Sequence, residues 1–349
     1  MTDPVTVAVD ANGADLGAAE VAAGAAIAAE RGTRVLLFGP AAEIGAVPEG
    51  VDVVDAPVSI AKAADPALAA RSTPDASIVQ AVKAVAAGRA DALVSGGSTG
   101  AAIAAGVFNI RRARGIFRPA LALPLPIPGA PILLLDVGAN LVARPEHLVQ
   151  FAFMGAAMAR AVLGVERPRV ALLSNGEEAT KGTDDVVAAH EQLAARAPVV
   201  SDLEFVGNVE GTQVTTGAAD VVVTDGFTGN IALKLMEGTS GTVLGAIRDV
   251  ATSTPRAKLG GLLLRPALRE FREAIDPEGP GGAYMLGLRR VGIVAHGRFT
   301  RNGFSQAIAV AERGVQEQVV DRTHALLDSA GALRTAPVSE AAASVGDPR

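Results

Sequence analysis

The sequence predicts an α/β fold, a three-layer α/β/α sandwich around a mostly parallel, Rossmann-like sheet, with a projecting helical excursion late in the chain. Three observations carry the core of that prediction. Short apolar runs of strand length alternate with helical segments, the pattern of crossover units in a parallel sheet. Several runs end in loops of Gly, Asn, Asp and Thr, as at the carboxyl ends of such strands, where ligands bind. The chain has 349 residues, 49% of them hydrophobic, enough for one large core over residues 1–330.

Taken in order, residues 5–10 (Val-Thr-Val-Ala-Val-Asp) form a first buried strand, and the Ala-rich residues 18–31 a helix. Strands follow at 34–39 and 51–55. Helices over 77–88 and 101–114 flank a strand at 90–95. Residues 121–128 carry Pro124, Pro126 and Pro128, which predicts an edge or a connection rather than a central strand. A strand at 132–136 leads to a helix over 145–163 opened by Pro145. A strand at 170–174, a helix over 184–196 and a strand at 221–224 come next, then a helix from near Thr228. Residues 234–272 show no strand signal and read as helices broken at 252–255 and at Pro266, an excursion spanning about 234–275. A last strand at 291–295 precedes one long helix over 302–328. Residues 331–349 lack an apolar period and predict a disordered tail.

Composition narrows the function. The chain has no Cys, which excludes disulfides, thiolate nucleophiles and thiolate metal sites. With no Trp, one Tyr and a formal net charge of -6, neither base stacking nor a global basic field favours nucleic acid. No run approaches the ~20 apolar residues of a membrane span and no secretory leader is visible. A cytoplasmic protein is expected, with surface attachment to a membrane compatible.

The motifs point to an anion. G-x-G-x-x-G after a strand and the P-loop pattern are both missing, so nucleotide binding lacks its usual signatures. Gly96-Gly-Ser-Thr-Gly100 joins a strand to a helix, and Gly97, Ser98, Thr99 and Gly100 offer backbone N–H groups and hydroxyls suited to phosphate. Asn140 and Lys181 follow predicted strands and could orient and neutralise a dianion beside a polarised carbonyl. Asp10, Asp136 and Asp225 end strands, where a carboxylate serves as acid, base or magnesium ligand, or else caps a helix or braces a loop. Asn12, Asn175 and Asn230 belong to the same set of loops, all expected to gather at one edge of the sheet. His147, His190 and His324 fall on helices with no partner at ligand spacing, so no metal site is indicated and no cofactor is implied. His296 follows the last strand and would share the active edge. Leu259, Leu262, Leu263 and Leu264 lie between basic residues and read equally as a lipid-touching face or a subunit contact.

The ordered set of motifs resembles the fatty acyl-acyl carrier protein:phosphate acyltransferase family of phospholipid synthesis. It comprises Val9-Asp-Ala-Asn-Gly-Ala-Asp15, Gly96-Gly-Ser-Thr-Gly-Ala101, Arg118-Pro-Ala, Leu134-Leu-Asp-Val-Gly-Ala-Asn140, Gly176-Glu-Glu-Ala-Thr-Lys-Gly182, Phe205-Val-Gly-Asn-Val-Glu210, Val221-Val-Val-Thr-Asp-Gly-Phe-Thr-Gly-Asn230 and Ala295-His-Gly297, across residues 5–315. The chain departs from the family pattern at Asn12, at Ser98, across 71–77 and at Arg298. The resemblance implies an α/β/α sandwich and a homodimer built partly through a projecting helical hairpin. It also implies peripheral membrane association and a downstream glycerol-3-phosphate acyltransferase partner. The implied reaction moves a long acyl chain from the carrier protein's thioester to inorganic phosphate, giving acyl phosphate. On this reading phosphate lies against Gly97–Gly100, Lys181 supplies charge, Asn140 holds the carbonyl or phosphate, and Arg111, Arg112 and Arg114 receive the acidic carrier protein. The alternatives are a short-chain phosphate acyltransferase using coenzyme A donors and a noncatalytic membrane-associated scaffold.

Overall fold

The computed structural model describes residues 4–129 and 131–334. Its strands are β1 (Thr6–Asp10), β2 (Arg34–Gly39), β3 (Val51–Asp55), β4 (Ala92–Ser95), β5 (Ala120–Leu125), β6 (Ile132–Leu135), β7 (Arg169–Leu173), β8 (Glu204–Val209), β9 (Val221–Val223), β10 (Ala283–Leu286) and β11 (Val291–Val294). They make one 11-stranded sheet in the order β3-β2-β1-β4-β11-β10-β5-β6-β9-β7-β8. One face is covered by α1 (Ala18–Glu30), α6 (Pro145–Leu163), α7 (Asp184–Arg196), α10 (Arg301–Gln316) and α11 (Val319–Ser329). The other is covered by α3 (Pro66–Ser72), α4 (Ser77–Ala86), α5 (Thr99–Asn109) and the first turns of α8 (Gly226–Thr252), while α2 (Ala41–Ile44) is a single turn after β2. The result is the expected three-layer sandwich.

Its centre differs from expectation. The Pro-rich β5 lies inside the sheet, antiparallel to both β10 and β6. Leu121 bonds toward β6 through both its N–H, to Asp136 Oδ1, and its carbonyl, from the Val137 N–H. By alternation Pro124 turns its nitrogen toward β10, whose pairing with β5 covers only residues 120–122. The missing N–H therefore forfeits no ladder bond. Two strands had no clear sequence signal. β10 is four residues long behind a Gly-rich turn, and β8 carries Gly207 and Asn208 beside a register shift in its pairing with β7.

Strand direction divides the molecule. β1, β2, β3, β4 and β11 are parallel; passing through the antiparallel β10 and β5 reverses β6, β7, β8 and β9 relative to them. The carboxyl ends of β1, β4 and β11 thus form one edge, here the upper, and those of β6, β7, β8 and β9 form the opposite, lower edge. The loops expected at a single edge are split between two. Register with a partner decides this, and local periodicity carries no record of it.

The helical excursion is a hairpin of α8 and α9 (Pro255–Ala274). α8 begins at Gly226 rather than Thr228. α9 runs through Pro266 instead of breaking there, since the only casualty is one bond to the Leu262 carbonyl on an exposed surface. No residue of α9 is buried. The helix expected over 302–328 is two, because Gln318 takes a left-handed φ of 53° and turns α11 from the sheet onto α6. Of the predicted tail, residues 335–349 lie outside the described residues. Residues 331–334 are packed: Ala332 accepts from Gln150 Nε2 at 2.9 Å and Arg334 donates to the Gly115 carbonyl at 2.8 Å.

Candidate active site

The lower edge gathers the loops after β6, β7 and β9. Asp136, fully buried, accepts five hydrogen bonds: Oδ1 from the backbone N–H groups of Leu121, Gly138 and Ala139, and Oδ2 from Asn140 through both its backbone N–H and Nδ2, each at 2.8 Å. Burial raises its pKa against the lowering effect of those donors. It is a brace for the 137–140 turn. Asn140 is fixed in turn, since Nδ2 also donates to the Pro119 carbonyl at 2.8 Å and its own carbonyl accepts from Gly226 N–H at 2.7 Å. That leaves the Asn140 side-chain oxygen as its unused polar atom.

α8 can dock here only because of two glycines. A Cβ on Gly226 would lie 2.7 Å from the Asn140 carbonyl oxygen, and one on Gly229 would lie 2.0 Å from that of Asp136. Asn230 follows on the same turn, its Cβ 4.0 Å from the position a Gly138 Cβ would occupy. Asp225 caps the helix, accepting from the N–H groups of Phe227 and Thr228 at 2.9 Å. Of the two readings open for Asp136 and Asp225, the structure takes the bracing and capping one.

Lys181 stands at the same edge, exposed, its stem lying over Gly176. Among the described residues its ammonium makes no ion pair. The loop that carries it is held by Asn208, a buried β8 residue unmarked as functional in the sequence; its only signal is the Gly-Asn pair inside residues 205–210. Asn208 Nδ2 donates to the Glu178 carbonyl at 2.8 Å, and its Oδ1 meets His190 Nδ1 at 3.0 Å. Asn175 is exposed at the head of this loop. His147, at the start of α6, has its pKa lowered by burial, with Arg118 and Arg144 adding to the effect. Glu146 and Asp185 oppose those two arginines, so charges of both signs face this edge.

The upper edge holds the remaining candidates. Asp10, 2% exposed, accepts from Ser77 Oγ at 2.6 Å and Ser95 Oγ at 2.9 Å, and burial pushes its pKa up to about 6. It too is a brace. Asn12 donates through Nδ2 to the Ala56 carbonyl. Gly97, Ser98, Thr99 and Gly100 open α5, whose first intrahelical bond runs from Ala102 N–H to the Ser98 carbonyl and whose N-terminus has no side-chain cap. The N–H groups of Thr99, Gly100 and Ala101 face outward with no helical partner. His296 stands on the rim, stacked on Phe299; partial burial lowers its pKa, followed by the charge of Lys234.

The structure does not bring Lys181 and the Gly97–Gly100 turn together. They sit at opposite edges, with six strand steps from β4 to β7, about 25–30 Å at ~4.8 Å per step. Asn140 and Lys181 share the lower edge; His296 and the glycine turn share the upper. Among the described residues no three His, Asp or Glu side chains group as metal ligands.

This three-layer sandwich defines a fold class that hosts more than one chemistry. It is similar to a phosphotransacetylase from Streptococcus pyogenes (TM-score 0.60, 16% identity, 91% of this chain and 95% of that one). It is also similar to a 4-hydroxythreonine-4-phosphate dehydrogenase from Klebsiella pneumoniae (TM-score 0.52, 15% identity, 90% and 99%). The fold alone therefore leaves the chemistry undecided. Sequence decides it: residues 5–322 match the family model described as fatty acid synthesis protein, and the chain belongs to that family. It is 39% identical over 330 residues to a phosphate acyltransferase from Pelotomaculum thermopropionicum, covering 93% of this chain and 95% of the relative. The protein is an enzyme of the acyltransferase class.

Proposed function

We propose that the enzyme transfers a long-chain acyl group from an acyl carrier protein thioester to inorganic phosphate, giving acyl phosphate for acylation of glycerol 3-phosphate. The observation that carries this reading is the composition of the lower edge. An unpaired ammonium, Lys181, and an oriented amide, Asn140, lie along the same edge as a narrow, close-packed apolar crevice between Ile103, Leu121, Ala139, Met285 and Leu288. A dianion finds its counter-charge there, beside an apolar seam.

The chemistry needs little more. A phosphate oxygen attacks the thioester carbonyl carbon; the C–O bond forms, the C–S bond breaks, and the carrier's thiolate leaves. Positioning and charge stabilisation suffice, with no covalent enzyme intermediate. Because the Gly97–Gly100 turn stands at the other edge, we assign the reacting phosphate to Lys181, and neither that turn nor His296 touches the same phosphate within one chain.

The same reading includes a homodimer and peripheral membrane contact. Phe227, Ile231 and Leu235 repeat along one side of α8, and Leu259, Leu262, Leu263 and Leu264 are 59–76% exposed on α9. Among the described residues no helix is long and apolar enough to cross a membrane, so attachment would be through this hairpin at the surface.

The test is phosphate-dependent release of free carrier protein from palmitoyl-acyl carrier protein, with acyl phosphate trapped by hydroxylamine. Turnover that requires phosphate supports the reading. Turnover only with short-chain acyl-coenzyme A would replace the donor, and a folded protein inert toward every donor would leave the scaffold role.

A further inference from the structure

The surface below the crevice carries a charge pattern that the chain's net charge of -6 does not suggest. α5 ends at Asn109, and the chain continues through Arg111, Arg112 and Arg114, all exposed. The turn between β10 and β11, 175 residues further on, carries Arg289 and Arg290, also exposed. The two segments are stitched together. Ala113 N–H donates to the Gly287 carbonyl at 2.9 Å, Arg289 N–H to the Arg111 carbonyl at 3.1 Å, and Arg289 Nε to the Arg112 carbonyl at 3.2 Å, with Arg112 and Leu288 forming an isolated bridge.

This register holds Arg111 at a φ of 71°, a left-handed conformation that a non-glycine residue adopts only at an energetic cost. Among the described residues none of the five guanidinium groups makes an ion pair. Five uncompensated cations on one patch repel one another, so the arrangement is stabilised by an anionic surface arriving from outside.

Position supplies the rest. A Cβ on Gly287 would lie 3.3 Å from Pro119 Cα and 3.4 Å from the Arg118 carbonyl oxygen, and Pro119 is the residue whose carbonyl holds Asn140. Leu288 lines the crevice. The patch therefore borders the candidate acyl-transfer site directly. It also faces away from the Leu-rich hairpin. α8 leaves this lower edge and carries Lys234 into electrostatic reach of His296 at the upper one, and its 27 residues span about 40 Å.

We propose that Arg289 and Arg290 join Arg111, Arg112 and Arg114 in one docking surface for an acidic protein that presents an acyl thioester on a flexible arm. This rests on the acyl-transfer reading above and deepens it by locating the donor protein. A bilayer headgroup is the weaker occupant, because the apolar surface suited to lipid lies at the hairpin, beyond the opposite edge.

The test compares the intact enzyme with Arg289→Glu/Arg290→Glu, checked for folding by circular dichroism and thermal melting. Two donors are used, palmitoyl-acyl carrier protein and S-palmitoyl pantetheine, which carries the same thioester without an acidic surface. Direct binding of the carrier protein is measured by fluorescence anisotropy at several salt concentrations. The expected result is a rise in KM of about tenfold or more for the protein donor, unchanged kcat/KM for the pantetheine donor, and carrier binding that weakens with salt in the parent enzyme and is lost in the variant. Unchanged KM for the protein donor overturns the surface while leaving the acyltransferase reading standing. Equal losses with both donors mean a structural role, and loss of binding to anionic vesicles with carrier binding intact means a lipid-facing role; either overturns the proposal. A parent enzyme that turns over neither donor yet binds carrier in a salt-dependent, Arg289/Arg290-dependent manner defeats the reaction and sustains the surface.

Discussion

Asn208 and Lys181 are joined through the backbone: the Asn208 side-chain amide donates to the carbonyl of Lys181 at 3.4 Å as well as to that of Glu178 at 2.8 Å. A buried β8 side chain thus fixes the loop that presents the exposed ammonium. Two carbonyls in a polar loop lose their donor if the amide is removed, a loss of about 1–3 kcal/mol of local order. Asn208→Ala should lower kcat by about tenfold, and combining it with Lys181→Ala should add almost nothing. Fully multiplicative effects in that cycle would show that Asn208 acts independently of the lysine.

Lys181→Ala itself should reduce phosphate-dependent kcat/KM on the order of 10²–10³-fold, the range for losing one charge-stabilising group at an acyl-transfer centre. Lys181→Arg should retain part of the activity, because the charge remains while the donor geometry changes. Parent-level activity in the folded alanine variant would remove Lys181 from the reaction.

The α8 glycines make a pair of opposite predictions. Gly229→Ala pushes a methyl to 2.0 Å from the Asp136 carbonyl oxygen and should destabilise by about 1–3 kcal/mol. Gly238→Ala meets nothing within 4 Å and should stabilise by up to about 1 kcal/mol through helix propensity. Denaturant unfolding of the two variants distinguishes them by sign.

Asp10 predicts a pH dependence. Its folded pKa of about 6 lies above the unfolded value of 3.8, so the native state holds the proton more tightly. The stability linked to this group is complete below about pH 4 and is lost as pH rises through 6, a change of roughly 3 kcal/mol. Unfolding at pH 4.5 and 7.5 should show this component in the parent protein and lose it in Asp10→Asn. An identical pH slope in the two proteins would show that Asp10 is ionised throughout.

Leu262→Glu with Leu263→Glu places two charges on side chains that are 62% and 76% exposed. Liposome flotation and light scattering should show loss of vesicle binding or of the dimer, with the melting temperature of the sandwich retained. Parent-like behaviour in both assays would assign the Leu cluster no contact role.

Much of this protein was legible without coordinates. The bounds of β2, β3, α6 and α7 follow from runs such as Arg34-Val-Leu-Leu-Phe-Gly39 and from Pro145 at a helix start, because apolar period, capping and proline geometry act within a few residues. The family was legible too, in the ordered set of motifs. Other features were not: the Pro-rich β5 as a central strand, the short β10, and the Asn208 clamp each depend on a partner distant in sequence. Tertiary structure alone decided which candidates share an edge of the sheet. Two antiparallel strands, β10 and β5, reverse the second half of the sheet, so Asn140 and Lys181 point one way while Gly97–Gly100 and His296 point the other. Strand direction is set by pairing across the whole chain, and a residue's own neighbours carry no trace of it.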